Sequence, residues 1–378
     1  MNDFYKDFGP FDEGIWFNSA SEGALPHVAV KALHEAITWK EKPYLLTNRR
    51  FREIPARLKT AISRLLQVNA EDVILGNSAT YGIHLLANGI PFQTGDEILV
   101  MRNDFPTDIL PWLALEDRGI RIRQIPSQGP VVEPREVFEN VTKDTRLICL
   151  THVHTFSGHI IDIKTIGNFC RERGIIFVVN LSQSAGCMPI DLSSLAVDAV
   201  TTAGFKWLCG PYATGFCWMT PSLRQQLQYN QAYWVNTLSA EELKSSGELQ
   251  LSQKRNASQY DVFGTANFFN FVPLTASIEY LLDVSLEKIY RYNATLVDRI
   301  ISGLDSSRFE LISPREKEKR SGLVVFSHKD RSRNQSIFDA LLNQKIYLAS
   351  WKGNLRASPH LYNTSQEIDK FLTILNAQ

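Results

Sequence analysis

Val178-Val179-Asn180-Leu181-Ser182-Gln183-Ser184-Ala185-Gly186, followed by Val197-Asp198 and then by Ala203-Gly204-Phe205-Lys206-Trp207-Leu208, decides how this chain folds. The first run reads as a buried strand that stops at a polar residue and passes into a loop of small side chains. The second ends by delivering a lysine between two aromatic rings. Ligands of open parallel sheets sit where strands end. A lysine held there is partly desolvated, which disfavours the ammonium, lowers the pKa and makes a usable amine nucleophile. A surface lysine snorkelling past Phe205 and Trp207 fits the same spacing.

Outward from this stretch, short runs rich in Val, Ile and Leu recur at 72–75, 97–101, 120–125, 146–150, 175–179, 199–202 and 214–219. They are rich in these residues rather than strictly alternating, as expected of strands buried on both faces. Helical patterns lie between them at 26–40, 55–67, 107–118 and 163–173, so a mainly parallel sheet covered by helices is predicted. Arg118-Gly119 and Arg173-Gly174 read as helix ends capped by a left-handed glycine. From 228 to 261 the chain turns polar and irregular, with Ser245-Ser246-Gly247 and Lys254-Arg255-Asn256. That suits a long connection over a ligand site or at a subunit interface. Helices at 266–283 and 285–304, strands at 322–327 and 345–349, and a last helix at 365–375 suggest a smaller α+β domain. The predicted division is a large α/β domain over 15–262 and a small domain over 263–378, joined by 1–14. The charged run 315–320 reads as a solvated loop.

The chain has 378 residues, 44% of them apolar and 21% charged, ordinary globular usage without repeats or low-complexity tracts. Lys plus Arg and Asp plus Glu are 40 each, so no net charge draws the protein to nucleic acid or anionic lipid. No apolar run reaches ~18 residues, and Met1-Asn2-Asp3-Phe4 does not begin a signal peptide. Five cysteines without a C-x-x-C pair suggest reduced thiols and a cytoplasmic protein.

Three further stretches carry chemistry. Gly76-Asn77-Ser78-Ala79-Thr80-Tyr81-Gly82, between a strand and a helix, offers free N–H groups and hydroxyls to an anion, or simply caps the helix. In Asp104-Phe105-Pro106-Thr107-Asp108, an aromatic ring stands among polar residues at a strand end, an odd core element. Thr151-His152-Val153-His154-Thr155 has the His-x-His spacing of some metal sites, but no nearby carboxylate or cysteine completes a ligand set, so no metal is expected.

Taken in order, these stretches resemble the class V aminotransferase family, which includes cysteine desulfurases, selenocysteine lyases, kynureninase and isopenicillin N epimerase-like proteins. The resemblance runs from Phe17 to the C-terminal helix. It implies an α/β fold of the fold-type I pyridoxal-phosphate (PLP) architecture, a mainly parallel seven-stranded sheet with a smaller C-terminal α+β domain. It implies pyridoxal 5'-phosphate as cofactor, with Lys206 in the place of the lysine that binds it covalently and acts on the Cα proton. Asn180 to Gly186 matches D-x-x-Q-S-x-G, which puts Gln183 near the cofactor phenolic oxygen and Asn180 at the ring nitrogen. Ser78, Ala79 and Thr80 match the phosphate-holding segment. Phe105 matches the stacking aromatic of E/D-[HYF]-P-[SA]-N. His152 matches the histidine of the cofactor-lining S-H-V-[SQ]-[NF] loop, in which His154 and Thr155 depart from the usual residues; Thr155 is assigned to the cofactor and His154 to the substrate. Val262 to Asn267 resembles G-T-P-N, whose threonine reaches the phosphate of the second subunit, so Thr265 implies a homodimer with shared active sites. Leu355 to Thr364 matches R-[IVA]-S-x-H-x-Y-N-T, making Arg356 the clamp on a substrate α-carboxylate, with Tyr362, Asn363 and Thr364 capping the next helix. Asn18 to Pro26 resembles N-x-A-x-x-G-P-L-P and makes Glu22 a contact for a substrate cation.

Three departures stand out. Asn180 replaces the aspartate that pairs with the ring nitrogen, and as a neutral donor would leave that nitrogen unprotonated. Ala203 and Phe205 replace a serine and a histidine. The stretch Ala349-Ser350-Trp351-Lys352-Gly353-Asn354 lacks the mobile cysteine with which desulfurases take up sulfur. The resemblance therefore implies a PLP enzyme acting on an amino acid or its conjugate, by Cα deprotonation with β-elimination of the C–S lyase kind or epimerisation. Decarboxylating, oxidative or aminotransferase chemistry of natural-product metabolism, and a degenerate PLP-fold binding protein, are the alternatives.

Overall fold

The computed structural model describes residues 4–228, 231–239, 241–249 and 256–378; Lys254 and Arg255 of the polar connection lie outside them. A short strand β1 (Ile15–Trp16) precedes the helices α1 (His27–Glu41) and α2 (Asn48–Leu66). Then come β2 (Val73–Gly76), α3 (Ala79–Gly89), β3 (Glu97–Met101), β4 (Arg121–Ile125), β5 (Thr145–Thr151), β6 (Ile176–Asn180), β7 (Ala199–Ala203) and β8 (Gly215–Met219). β2 to β8 form one seven-stranded sheet in the order β2-β8-β7-β6-β5-β3-β4. The pairings from β7 across to β4 are all parallel, and β8 runs antiparallel to both β7 and β2.

All of these strands except the edge strand β4 (Arg121-Ile122-Arg123-Gln124-Ile125, only partly buried) run mostly apolar, because alternate residues point to opposite faces and both faces are covered. Leu75, Leu99, Ile148, Val179 and Val200 pack on one side with Leu58 and Ile62 of α2. Ile74, Ile98, Leu147, Val178 and Ala199 pack on the other with Ile83 and Leu86 of α3. Gly119 and Gly174 take the left-handed conformation at their helix ends, as expected.

The second sheet holds β9 (Phe309–Leu311), β10 (Val324–His328), β12 (Ala349–Trp351) and β13 (Asn354–Ala357), antiparallel throughout in the order β12-β13-β10-β9. β11 (Ile346–Tyr347) instead pairs in parallel with β1, so the start of the chain is stitched to its C-terminal part. On β13, Leu355 and Ala357 enter the apolar core of this smaller α+β part. The strand's alternation then drives Arg356, between them, out of the other side and toward the large sheet.

Four expectations are corrected. The helix read as 55–67 starts at Asn48, capped by Thr47, with Pro55 inside it. The helix read as 107–118 is broken into Pro106–Asp108, Leu110–Leu113 and Glu116–Arg118, since Pro106 and Pro111 each remove an amide donor. The strand read as 345–349 is two strands, split at Leu348. Within the charged run, Arg320 is buried and bonded to Asp298 at 2.5 Å, while its neighbours are exposed. Thr364 caps the last helix in a reciprocal box with Glu367, as expected.

Candidate active site

The C-terminal ends of β5, β6 and β7, the segment after β3 and the start of α3 surround a cavity of about 310 Å³, closed on the far side by Ser21, Glu22, Trp351 and Arg356. Lys206 enters it three residues past β7. Its backbone is clamped. Gly23 N–H donates to the Phe205 carbonyl at 2.8 Å, and a Cβ at Gly23 would fall 2.0 Å from the Lys206 carbonyl oxygen. Trp207 is fully buried, donating Nε1–H to Gln183 Oε1 at 2.9 Å and accepting at its carbonyl from His360 Nε2–H at 3.1 Å. The lysine side chain makes no hydrogen bond among the described residues and ends 5.2 Å from the centroid of the Phe105 ring. Burial, then the charge of Arg356, lower its pKa to about 8. Roughly a tenth of the amine is thus free base at pH 7, against a few parts in ten thousand for an ordinary lysine.

Arg356 is 2% exposed, and its guanidinium donates to Ser21 Oγ at 2.7 Å, the Thr155 carbonyl at 3.3 Å and Asn18 Oδ1 at 3.4 Å. Nε has no partner, and no carboxylate among the described residues pairs with it. A buried cation held only by neutral acceptors is costly, and burial lowers its pKa to about 10. Such a group suits an anion that the described residues do not supply.

At the opposite end, Ser78 caps α3 by accepting from Tyr81 N–H at 3.2 Å, while the amides of Ala79 and Thr80 have no acceptor among the described residues. A Cβ at Gly215 would meet the Ser78 backbone at 2.7 Å, so the glycine lets this turn lie on β8. Thr80 and Thr107 hydroxyls bond each other at 3.0 Å. Free N–H groups at a helix start with hydroxyls beside them suit a phosphate. Gln183 donates one amide hydrogen to the Ala20 carbonyl at 2.9 Å and keeps the other. Asn180, at the floor, is bonded to Asp108.

A family model for class-V aminotransferases matches residues 16–371. The chain belongs to the class-V aminotransferase family. Pyridoxal 5'-phosphate is the cofactor of this fold-type I family, and the cavity suits it: two unbonded helix amides for an anion, an aromatic face, a depressed lysine and an orphaned guanidinium at the other end. A probable cysteine desulfurase of Methanothermobacter thermautotrophicus is 24% identical to this class-V chain, over 97% of it and 95% of the relative. A cystine C–S lyase solved with its product cysteine persulfide superposes with a TM-score of 0.87, at 22% identity, over 96% of this chain and 97% of that one. A cysteine desulfurase from Thermococcus onnurineus NA1 gives 0.85, at 22% identity, over 99% and 97%.

Of the residues expected from the sequence, Ser78, Ala79, Thr80, Phe105, Thr155, Asn180, Gln183, Lys206, Glu22 and Arg356 all line this cavity. Three do not. His152 follows Thr151, which faces the cavity, so alternation turns its ring into a separate depression beside Val131 and Glu133. His154 spends both ring nitrogens, Nε2–H donating to the Asn103 carbonyl at 3.2 Å and Nδ1 accepting from Ser157 Oγ at 2.8 Å, which leaves nothing for a substrate. Thr265 is buried and donates to Asn236 Oδ1 at 3.4 Å, away from its own chain's cavity. Sequence reading missed Asp108, Ser182, Tyr212 and Trp351, which also line it. No His, Cys, Asp or Glu cluster suited to a metal occurs among the described residues.

Glu22 titrates within this cavity. Burial raises its pKa to about 7, with Lys206 opposing the rise. A carboxyl whose folded pKa exceeds its unfolded value costs stability as pH climbs between the two. Glu22→Gln is therefore expected to melt like the parent below pH 4.5 and progressively higher than the parent from there to pH 7, the gain levelling off beyond. Thermal melts across pH 4–9 read this directly, and parallel curves would refute it.

Proposed function

We propose that the protein is a PLP-dependent lyase that splits a C–S bond of a cysteine-type substrate directly, without passing sulfur through a protein thiol. The observation that carries this is the segment before Arg356. Trp351 pairs with Asn354 across a two-residue turn, Lys352-Gly353, with φ of 49° and 75°. That is a tight hairpin of the primed type, with no slack and no cysteine. All five cysteines are buried, and burial raises their thiol pKa values, those of Cys170 and Cys217 to about 12. None is suited to nucleophilic attack.

When bound, PLP withdraws electrons from the substrate Cα. The chain's own groups do the rest. Arg356 grips the α-carboxylate with a planar fork. Lys206, as a free amine, would take the Cα proton; the electron pair then forms the Cα–Cβ double bond and expels the sulfur from Cβ. One water then completes the conversion of the substrate to thiol, pyruvate and ammonia. Phe105, Phe205, Tyr212 and Trp351 wall the cavity with rings, which limits water and suits an apolar or disulfide-bearing side chain.

The same reading makes the molecule a homodimer in which Thr265 serves the partner's phosphate; its distance from its own cavity supports this, and a solution monomer holding the cofactor fully would exclude it. No helix among the described residues is long and apolar enough to cross a membrane. Buried free thiols favour a reducing compartment, the cytoplasm. The test is a panel of amino acids and sulfur conjugates assayed for pyruvate, ammonia and thiol. Pyruvate and ammonia are expected in equal amounts with the sulfur product, a thiol from a cysteine conjugate or a persulfide from cystine. Racemised or transaminated product without thiol would transfer the assignment to epimerase or aminotransferase chemistry.

A further inference from the structure

At the floor of the cavity, Asn180 Nδ2 donates to Asp108 Oδ1 at 2.8 Å and to Oδ2 at 3.1 Å, while Asn180 Oδ1 accepts the Ser182 N–H at 2.9 Å. These bonds settle which way the amide points. Turned over, its nitrogen would face the Ser182 N–H, donor against donor. Asp108 is fully buried, and among the described residues its side chain accepts hydrogen bonds from Asn180 alone. The charged or titratable groups around it are Asp104, Cys149 and Lys206. Asp104 is already engaged, accepting from Phe105 N–H at 2.7 Å and Thr151 N–H at 3.1 Å. Lys206 is the only cation acting on Asp108 among them.

In the sequence pattern this chain resembles, the acid stands at position 180 and the amide at position 108. Here the same two groups have changed places and are bonded to each other across the sheet. We propose that Asp108 is the positioning residue for the cofactor's pyridine nitrogen: it pins the Asn180 nitrogen, so that the amide offers its oxygen to the cavity as an acceptor, backed by the carboxylate's charge, and thereby favours a protonated ring. The proposal rests on PLP occupying this cavity. It reverses the expectation drawn from Asn180 alone, which treated the amide as a donor that would leave the nitrogen bare. Hydrogen-bonded chains polarise along their length, so an amide bonded to an anion at its nitrogen is a stronger acceptor at its oxygen. Burial and the nearby Asp104 raise the Asp108 pKa well above the usual carboxylate range, so the carboxyl resists ionising until a positive charge arrives, and a protonated ring supplies one.

The experiment loads the protein with PLP labelled with ¹⁵N in the ring and reads that nitrogen by NMR, with thermal melts alongside. The parent should show the protonated-pyridine signal. Asp108→Asn frees the Asn180 amide to turn, and its ring signal should move to the unprotonated position while the melt stays close to the parent's. The exchange variant carrying Asp108→Asn with Asn180→Asp should restore the protonated signal, and it decides the matter if the single variant does not fold. An unprotonated ring in the parent, an unmoved signal in Asp108→Asn, or an exchange variant left unprotonated or empty overturns the proposal. A parent that binds no PLP fails the underlying reading instead, and the missing signal tells the two apart.

Discussion

Lys206→Ala is expected to remain folded, to lose all cofactor fixed by borohydride reduction, and to turn over at least ~10³-fold more slowly, the scale of a missing acid–base group. Among the described residues the side chain makes no hydrogen bond, and its charge stands against that of Arg356 in a desolvated space. Its removal leaves no donor unsatisfied and relieves a repulsion, so the melting temperature should hold or rise. The same variant with PLP added should bind it only reversibly. Mass spectrometry of the reduced protein checks the adduct; one surviving in the variant would remove Lys206 from its role.

The second large effect belongs to Arg356. Lysine there keeps the charge but cannot span Ser21 Oγ and the Thr155 carbonyl while gripping a carboxylate with two parallel N–H groups. Arg356→Lys should weaken amino-acid binding by about 1.5–3 kcal/mol, the range for hydrogen bonds to charged groups, or about 10- to 150-fold. If the lost contact is equally strong in ground and transition states, KM carries the change and kcat is spared. Titration of the cofactor's visible band with each accepted amino acid reads it. Unchanged affinity for all of them would place the carboxylate elsewhere.

How much of this was legible beforehand follows from how local each signal is. Six of the seven strands of the large sheet were readable because each is a short run that is buried on both faces, a property carried by the run itself; the edge strand β4, only partly buried, was marked by its isoleucines. β13 was missed: only four residues long and interrupted by Arg356, it has no such pattern. The broken helix after Phe105 looked continuous in hydrophobic spacing, and the prolines within it were given too little weight. Lys206, Arg356, Gln183 and the α3 turn could be found because each lies in a compact motif. Asp108 could not, since its meaning comes from Asn180, 72 positions away in sequence, and from a hydrogen bond that exists only once β3 and β6 share a sheet. The histidines failed for the opposite reason. His152 and His154 sit in a promising motif, but strand alternation sends one ring away and local bonds consume the other.

Direct cleavage of the C–S bond, with no thiol relay, is tested most plainly by following sulfur through one turnover. The holoprotein is mixed with less than one equivalent of cystine per site, quenched, and divided between product analysis and intact-protein mass spectrometry. All the sulfur, two atoms per pyruvate, should appear in small molecules, as one cysteine persulfide per pyruvate and its breakdown products, with the protein mass unchanged. A protein heavier by one sulfur atom, mapped to any of its buried cysteines, would contradict the account.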